Sequence, residues 1–398
     1  MCSLLQRAAR QYDPASYGLT AKLIELNPDF YTLWNFRKEI VLDCIAKTPA
    51  ERSSLLNAEL DLSFKALLKN PKCYSAWHHR LWVLDLDAEP VDREMALCTK
   101  MLTMDARNFH CWNYRRAVAE RAKATPQSEF EFTTTKINEN FSNYSAWHYR
   151  TVLIPRIYSH AWLEATDASP AERDQRRHAY DEFIDAEFQL VKGAFYTEPE
   201  DQSAWLYHRW LLGRVVATST GNQLPVLGIS LGTHLFEETN PMTAAAATAS
   251  NTTPLDASSV DAVASQLQSS QLSSFSPSSA APAAAAAAAA APSSAAASAS
   301  PSSLSRQLCV FHRELLEVQE LLTVEENCKW ALLTTAILQA GILACVQEDA
   351  TLTANATTPI PSAAELSTGI RAVFDRLLHL DPMRKQYYED VRKRFLQQ

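Results

Sequence analysis

One block of eleven residues constrains this 398-residue chain more than anything else in it, because it recurs. It is built around Trp34, Trp77, Trp112 and Trp147. A short polar residue stands seven before each Trp (Asn27, Asn70, Asp105, Asn140) and an aromatic three before it (Tyr31, Tyr74, Phe109, Tyr144). An arginine stands three after it (Arg37, Arg80, Arg115, Arg150). Trp77, Trp112 and Trp147 are spaced by 35 and 35 residues. A period near 35 is the mark of stacked helical hairpins. The fold expected is therefore all-α, a right-handed superhelix of antiparallel, tetratricopeptide-like hairpins. Only 8 glycines in the chain also suits helices better than sheets or glycine-rich phosphate loops.

The block reads as a helix start. Asn-Pro or Asp closes the preceding helix and turns the chain, since proline supplies no backbone donor. Asn108 and Asn143, four before their Trp, suit the N-cap of the helix that follows. Aromatic, Trp and Arg then fall roughly on one face. A single hairpin cannot bury its apolar face alone, so neighbours must stack. Each Trp is expected to plug between successive hairpins. Each Arg is expected along the same seam, its guanidinium bonded to nearby carbonyls or carboxylates.

Residues 3–26 read as an amphipathic helical pair running into the first block, with Leu19, Leu23, Ile24 and Leu26 apolar. Residues 51–69, 90–104, 127–139 and 172–196 read as return helices. A fifth block surrounds Trp205, 58 residues after Trp147, with Gln202 in the aromatic position and Arg209 four residues on instead of three. Residues 220–303 are mostly Ala, Ser, Thr and Pro, and read as a disordered insertion with little to bury. Its alanine run, Ala283–Ala291, is too short to span a membrane. Order resumes at Leu304 with a helix over 306–322, a degenerate sixth block at Trp330 and a closing helix towards Phe395. The expected division is 1–219 for repeats one to five, 220–303 for the insertion, and 304–398 for the helices that complete the array.

Charge and cysteine usage narrow the function. The net charge of −8 argues against a general nucleic-acid binder, which needs a basic face. The eight cysteines form no C-x-x-C pair, and neither a secretory leader nor an apolar run of 18 or more is apparent, so reduced thiols in the cytoplasm are the default. His78, His79, His110, His148 and His208 recur near the repeat spacing, but ligands placed one per repeat do not converge on one ion. No metal site is expected. Stacked Trp and Arg also occur where helical repeats read single-stranded RNA, against which stand the acidic balance and the expected burial of the Trp. No Ser-His-Asp spacing, nucleotide loop or H-E-x-x-H motif stands out. Residues alone therefore point to a helical-repeat scaffold that binds another protein.

The block Asn-x-x-x-Tyr-x-x-Trp-x-x-Arg resembles the repeat of the protein prenyltransferase α subunits. More narrowly, Asn27–Arg37, Arg107–Arg116, Asn140–Arg150 and Asp201–Gly213 are similar to the α subunits of Rab geranylgeranyltransferases, the type II enzymes, as are Glu325–Thr334 and Leu380–Arg384. The resemblance covers nearly everything outside 214–303, and six motifs in one order make it specific. It implies a crescent of hairpins wrapped around a β subunit, an α–α barrel that carries the catalytic zinc and the lipid pocket. No cofactor is implied for this chain. The implied reaction moves geranylgeranyl from its diphosphate to C-terminal cysteines of Rab GTPases presented by a Rab escort protein. The α subunit's share, by resemblance, is the Lys-x-Tyr of the second block, Lys72 and Tyr74, assisting diphosphate departure.

The bland readings stand beside that one. Aromatics fill the Tyr74 position in the other blocks, so Tyr74 alone reads as structural. The counterparts of Lys72 are Asp29, Arg107 and Ser142, so the repeat does not require its charge. Arg107, Asn108 and His110, in the next turn, are candidates for the acceptor-peptide side. Trp34, Arg37, Trp77, Arg80, Trp112, Arg115, Trp147, Arg150, Trp205 and Arg209 are assigned to the repeat structure.

Two departures from the family pattern bear on this. Members usually carry a longer leader with a His at the second residue that can approach the β-subunit zinc; here Cys2 stands there, and no such contact transfers. Animal members insert an immunoglobulin-like domain before the last block and append leucine-rich repeats, whereas this chain has the Ala/Ser-rich insertion and closes on a helix, like a compact, fungal-type version. The alternatives are the α subunit shared by farnesyltransferase and type I geranylgeranyltransferase, and a non-catalytic tetratricopeptide-like scaffold. The first lacks the Asp-Gln-Ser-Ala-Trp and Leu-Asp-Pro-Met-Arg stretches in this form; the second is defined by small packing residues rather than by W-x-x-R.

Overall fold

The computed structural model describes residues 6–86, 91–163, 168–220, 303–349, 351–352 and 359–397. Cys2 and the 220–303 insertion, apart from its two end residues, lie outside them. Among the described residues there is no strand. The helices are α1 (Pro14–Leu26), α2 (Tyr31–Lys47), α3 (Arg52–Lys69), α4 (Tyr74–Leu86), α5 (Val91–Met104), α6 (Phe109–Arg121), α7 (Pro126–Glu139) and α8 (Tyr144–Ile157). They continue with α9 (His160–Leu163), α10 (Pro170–Thr197), α11 (Gln202–Thr220), α12 (Ser303–Val324), α13 (Lys329–Glu348), α14 (Ala363–Leu380) and α15 (Lys385–Leu396). Six hairpins, from α1/α2 to α12/α13, carry the six blocks. They fall into two compact units, one ending at Arg93 and one beginning at Glu94.

The turn before each second helix is built the same way. The side-chain oxygen seven before the Trp accepts the backbone N–H two residues on, as in Asn27 with Asp29, Asn70 with Lys72, Asp105 with Arg107 and Asn140 with Ser142. In the first turn the residue four before the Trp is Phe30 and makes no side-chain cap, but in later turns that residue caps the helix: Asn108 accepts from His110 and Cys111, and Asn143 from Ala146. Cys73 plays that part with its sulfur, accepting from Ala76. The indole N–H groups of Trp34, Trp77, Trp112, Trp147 and Trp205 donate at 2.8 Å to the carbonyl six residues back, on Pro28, Pro71, Ala106, Phe141 and Pro199. A buried indole donor is thereby satisfied within its own turn.

Trp34, Trp112 and Trp147 each meet the residue two past the next Trp. Trp34 lies 4.7 Å from His79 in the first unit. Trp112 and Trp147 lie 6.3 and 4.7 Å from Tyr149 and Tyr207 in the second. The arginines run along the same seam. Nη1 stays with its own hairpin, as in Arg80 with the Leu60 carbonyl and Ser63 hydroxyl and Arg150 with Thr133. Nε and Nη2 cross to a glutamate of the following hairpin: Arg37 to Glu59, Arg115 to Glu129, Arg150 to Glu187. Glu59, fully buried, also receives His79 Nε2 at 2.9 Å and the Tyr17 hydroxyl at 2.7 Å. Burial pushes the Glu59 carboxyl up, and Arg37 with His79 reverse that and hold it at about 2.

The last two blocks differ from the sequence expectation. In the fifth, His208 occupies the position three past Trp205 and pairs with Glu314 at 3.0 Å. Arg209, one residue further, is turned about 100° around the helix and leaves the seam. In the sixth, Cys328 caps α13 through Ala331 and donates to the Pro199 carbonyl, as Cys73 does to Pro28. That alignment puts Leu332, not Trp330, in the plug position. It also keeps Glu314 eighteen residues before the plug, the spacing of Glu59, Glu94, Glu129 and Glu187 from theirs.

Within the second unit, helices on either side of the insertion pack directly, as His208 with Glu314 and Lys192 with Glu317 show. By length and composition α13 could cross a membrane, and 72% of that stretch is buried inside the fold. Leu366, Ile370, Phe374 and Leu377 give α14 one apolar stripe, which packs on α13.

Candidate functional site

The turns put one part of each block inside and another outside. The aromatic three before the Trp is the first residue of its helix, where a side chain leans back past the N-terminus and out of the hairpin. Tyr31 is 67% exposed and Tyr74 69%, against 2% and 1% for Trp34 and Trp77. Phe109 and Tyr144 are likewise exposed. A position read as facing the seam therefore faces solvent.

In the first unit two such turns are stapled side by side. Asn70 Nδ2 donates to both oxygens of Asp29, at 3.1 and 2.9 Å, and the Cys73 thiol donates to the Pro28 carbonyl at 3.1 Å. Burial pushes that thiol up to about 11, so it stays protonated and structural. Lys69 closes the edge by donating to the carbonyls of Glu25 and Leu26 at the end of α1. Lys72 is left at the tip, exposed, and among the described residues its ammonium has no acid partner. Lys72 and Tyr74 thus share one fixed turn at the surface, a cation and a phenol two residues apart. An oxyanion is the chemistry such a pair suits.

Arg107, Asn108 and His110 share the equivalent turn in the second unit. Arg107 is exposed, while Asn108 and His110 are 2% and 6% exposed. The Asn108 oxygen is occupied by the helix cap, and the His110 ring lies 4.0 Å from Phe109. Ser142, in the fourth turn, bonds to Glu198. Among the described residues no cluster of three or more His, Cys, Asp or Glu could hold a metal.

Sequence reasoning named the seam arginines but not their glutamates. The signal was present: Glu59, Glu94 and Glu129 repeat at 35 and 35 residues, in step with the Trp.

Comparison with known proteins agrees with this architecture. The protein prenyltransferase alpha subunit repeat matches residues 16–44, 56–87, 91–122, 126–157 and 184–215, which fall on the first five hairpins. The geranylgeranyl transferase type-2 subunit alpha of Dictyostelium discoideum is 36% identical over 226 residues, covering 56% of this chain and 68% of that protein. The subunit alpha 1 of Arabidopsis thaliana is 49% identical over 226 residues, 56% of this chain and 31% of its own length. The human subunit is 32% identical over 211 residues, 52% of this chain and 35% of its own length. This chain thus spans about a third of the mammalian relatives it matches. In fold, it is similar to a Candida albicans protein geranylgeranyltransferase-I solved with GGPP (TM-score 0.52, 17% identity, 99% of this chain and 88% of that one). With the repeats on its hairpins and two thirds of a relative covered at 36% identity, the chain belongs to the protein prenyltransferase α-subunit family, among the type-2 geranylgeranyl transferase α subunits.

Proposed function

We infer that this chain acts as the α subunit of a type-2 protein geranylgeranyltransferase, moving geranylgeranyl from its diphosphate to C-terminal cysteines of Rab GTPases. The observation that carries this reading is the Asn70–Tyr74 turn. Its backbone is that of every other turn, yet at its tip stands a lysine where the repeat elsewhere carries Asp29, Arg107 or Ser142. The partner in this reading is a β subunit, which holds the lipid and the zinc that makes the acceptor thiol a thiolate at neutral pH. Rab presentation falls to a Rab escort protein.

The work of this chain is at the leaving group. As the C–O bond to the diphosphate breaks, negative charge grows on the bridging and terminal oxygens. The Lys72 ammonium and Tyr74 hydroxyl, held on a stapled turn, donate to those oxygens and favour the transition state over the ground state. The ligand of the Candida albicans neighbour, GGPP, carries such a diphosphate. The acceptor peptide lies by Arg107, Asn108 and His110 in the same reading, with Arg107 as the exposed contact.

The test is labelled geranylgeranyl transfer to a Rab by this chain co-expressed with a β subunit, with and without escort protein, for wild type and Lys72→Ala. Escort-dependent transfer that falls roughly 10²-fold in the variant, with the heterodimer intact, is the expected result. Escort-free transfer to a peptide ending in a CaaX motif would move the chain to the farnesyltransferase and type I enzymes. A stable chain that neither binds a β subunit nor supports transfer would leave a scaffold.

A further inference from the structure

The seam arginines show how this protein satisfies a buried guanidinium. In Arg37, Arg115 and Arg150 the two parallel donors of one edge, Nε and Nη2, meet the two oxygens of a single glutamate, at 2.7 and 2.8 Å, 2.9 and 2.7 Å, and 2.5 and 2.6 Å. Arg209 presents the same edge with no carboxylate on it among the described residues. It is only 9% exposed, and among the described residues neither Nε nor Nη2 has a hydrogen-bond partner. Burial without a counter-charge lowers its affinity for its proton, and the groups that act against this are Tyr387 and Tyr388, not acids.

The surroundings are cationic and aromatic. The Arg209 guanidinium lies 5.5 Å from the centre of the Trp330 ring, and that of Arg384 lies 5.7 Å from the same ring. The acid on the neighbouring turn, Asp381, is already engaged by Arg384 at 3.6 Å and by the Tyr388 hydroxyl at 3.1 Å. That turn, Pro382–Arg384, is at the surface: Met383 is 94% exposed, and Tyr387 just beyond it 44%.

We propose that the Nε/Nη2 edge of Arg209 is a binding site for a carboxylate group, entering beside the Pro382–Arg384 turn. The edge is a planar two-donor fork, and the planar two-oxygen carboxylate is the group that fills this fork three times elsewhere in the chain. A buried cation left alone is strongly disfavoured, so an incoming acid gains more here than at an exposed arginine.

The test titrates the full chain, labelled with ¹⁵N at arginine Nε, with acetate, and repeats the titration with inorganic phosphate. A saturable shift of the Arg209 Nε signal is expected, with a rise in Tm of about 3 °C at ten times the dissociation constant. Arg209→Lys keeps the charge but loses the fork, and both responses should vanish. No saturable shift, or an equal Tm response in Arg209→Lys, overturns the site. Phosphate binding more tightly than acetate overturns the carboxylate.

Discussion

The seam and the tip of each hairpin turn lie within a few residues of each other and follow opposite rules. Along the seam the chemistry repeats: an indole on its own turn's carbonyl, and a guanidinium on the next hairpin's glutamate. At the tip the backbone repeats but the side chains do not, so Asp29, Lys72, Arg107 and Ser142 occupy one geometry with four chemistries. A residue demanded by folding should appear wherever the fold repeats. A residue that varies in a position built identically each time is free to serve something else. Lys72 is such a residue; Glu59 is not.

Breaking the seam should have the largest effect on stability. Glu59→Ala leaves Arg37 and His79 buried without their acceptor, and should cost about 3–5 kcal/mol in urea unfolding. A loss below about 1 kcal/mol would mean that the seam is ornamental. Lys72→Ala should give the mirror image. Its stability should stay within about 0.5 kcal/mol of wild type, because the side chain is solvated at the tip. Its transfer should fall by the roughly 10²-fold expected above. A Lys72 variant that unfolds as easily as the Glu59 one would erase the distinction.

Acid should find the seam as well. Glu59 is held at about 2 against an ordinary 4.5, and Glu314 is also held low, burial working against it and His208 and Arg313 outweighing that burial. Groups with depressed folded-state values bind more protons when unfolded, so their contribution is complete above the ordinary value and is lost as pH falls towards the folded one. His79 shares the sign: burial lowers it from 6.5, and its share begins to fade below that pH. Stability should therefore decline gently below pH 6.5 and steeply between 4.5 and 2, with Glu59 contributing on the order of 3 kcal/mol. Thermal midpoints measured at pH 7, 5.5, 4 and 3 check this. The steep stage should shrink in Glu59→Ala, and a wild-type profile flat to pH 3 would refute it.

How much was legible follows from periodicity. Trp, Arg and the capping Asn announce themselves because each lies within one helix start, so the hairpins and their order could be read directly. The glutamates sit eighteen residues upstream on another helix and become visible only when that second period is sought. The exposed aromatics were misplaced because spacing alone cannot tell a helix's first residue, which leans off its end, from one a turn inside. Trp330 misled by its chemistry. The register is set by Cys328 and Glu314, and a leucine fills the plug. Arg209, a single residue out of phase, left the seam altogether. Lys72 could be singled out only because its neighbours in the repeat disagree with it, which marks the residue but not its ligand.

The smallest effect expected gives the finest form of the comparison. Asn143 and Asn108 make the same cap in consecutive turns, so replacing either with Ala should cost about 1 kcal/mol. If the cap were the whole role of both, their transfer rates should be unaffected alike. The third turn is the one proposed to face the acceptor peptide, with Arg107 beside Asn108, whereas the fourth has Ser142 tied to Glu198. Asn108→Ala should then raise the KM for the Rab substrate several-fold with kcat little changed, and Asn143→Ala should leave both constants alone. The equal loss of stability serves as the internal control, since a general loosening of helix starts would move both variants together. Equal KM values in the two would return Asn108 to the cap and leave Arg107 as the third turn's exposed contact.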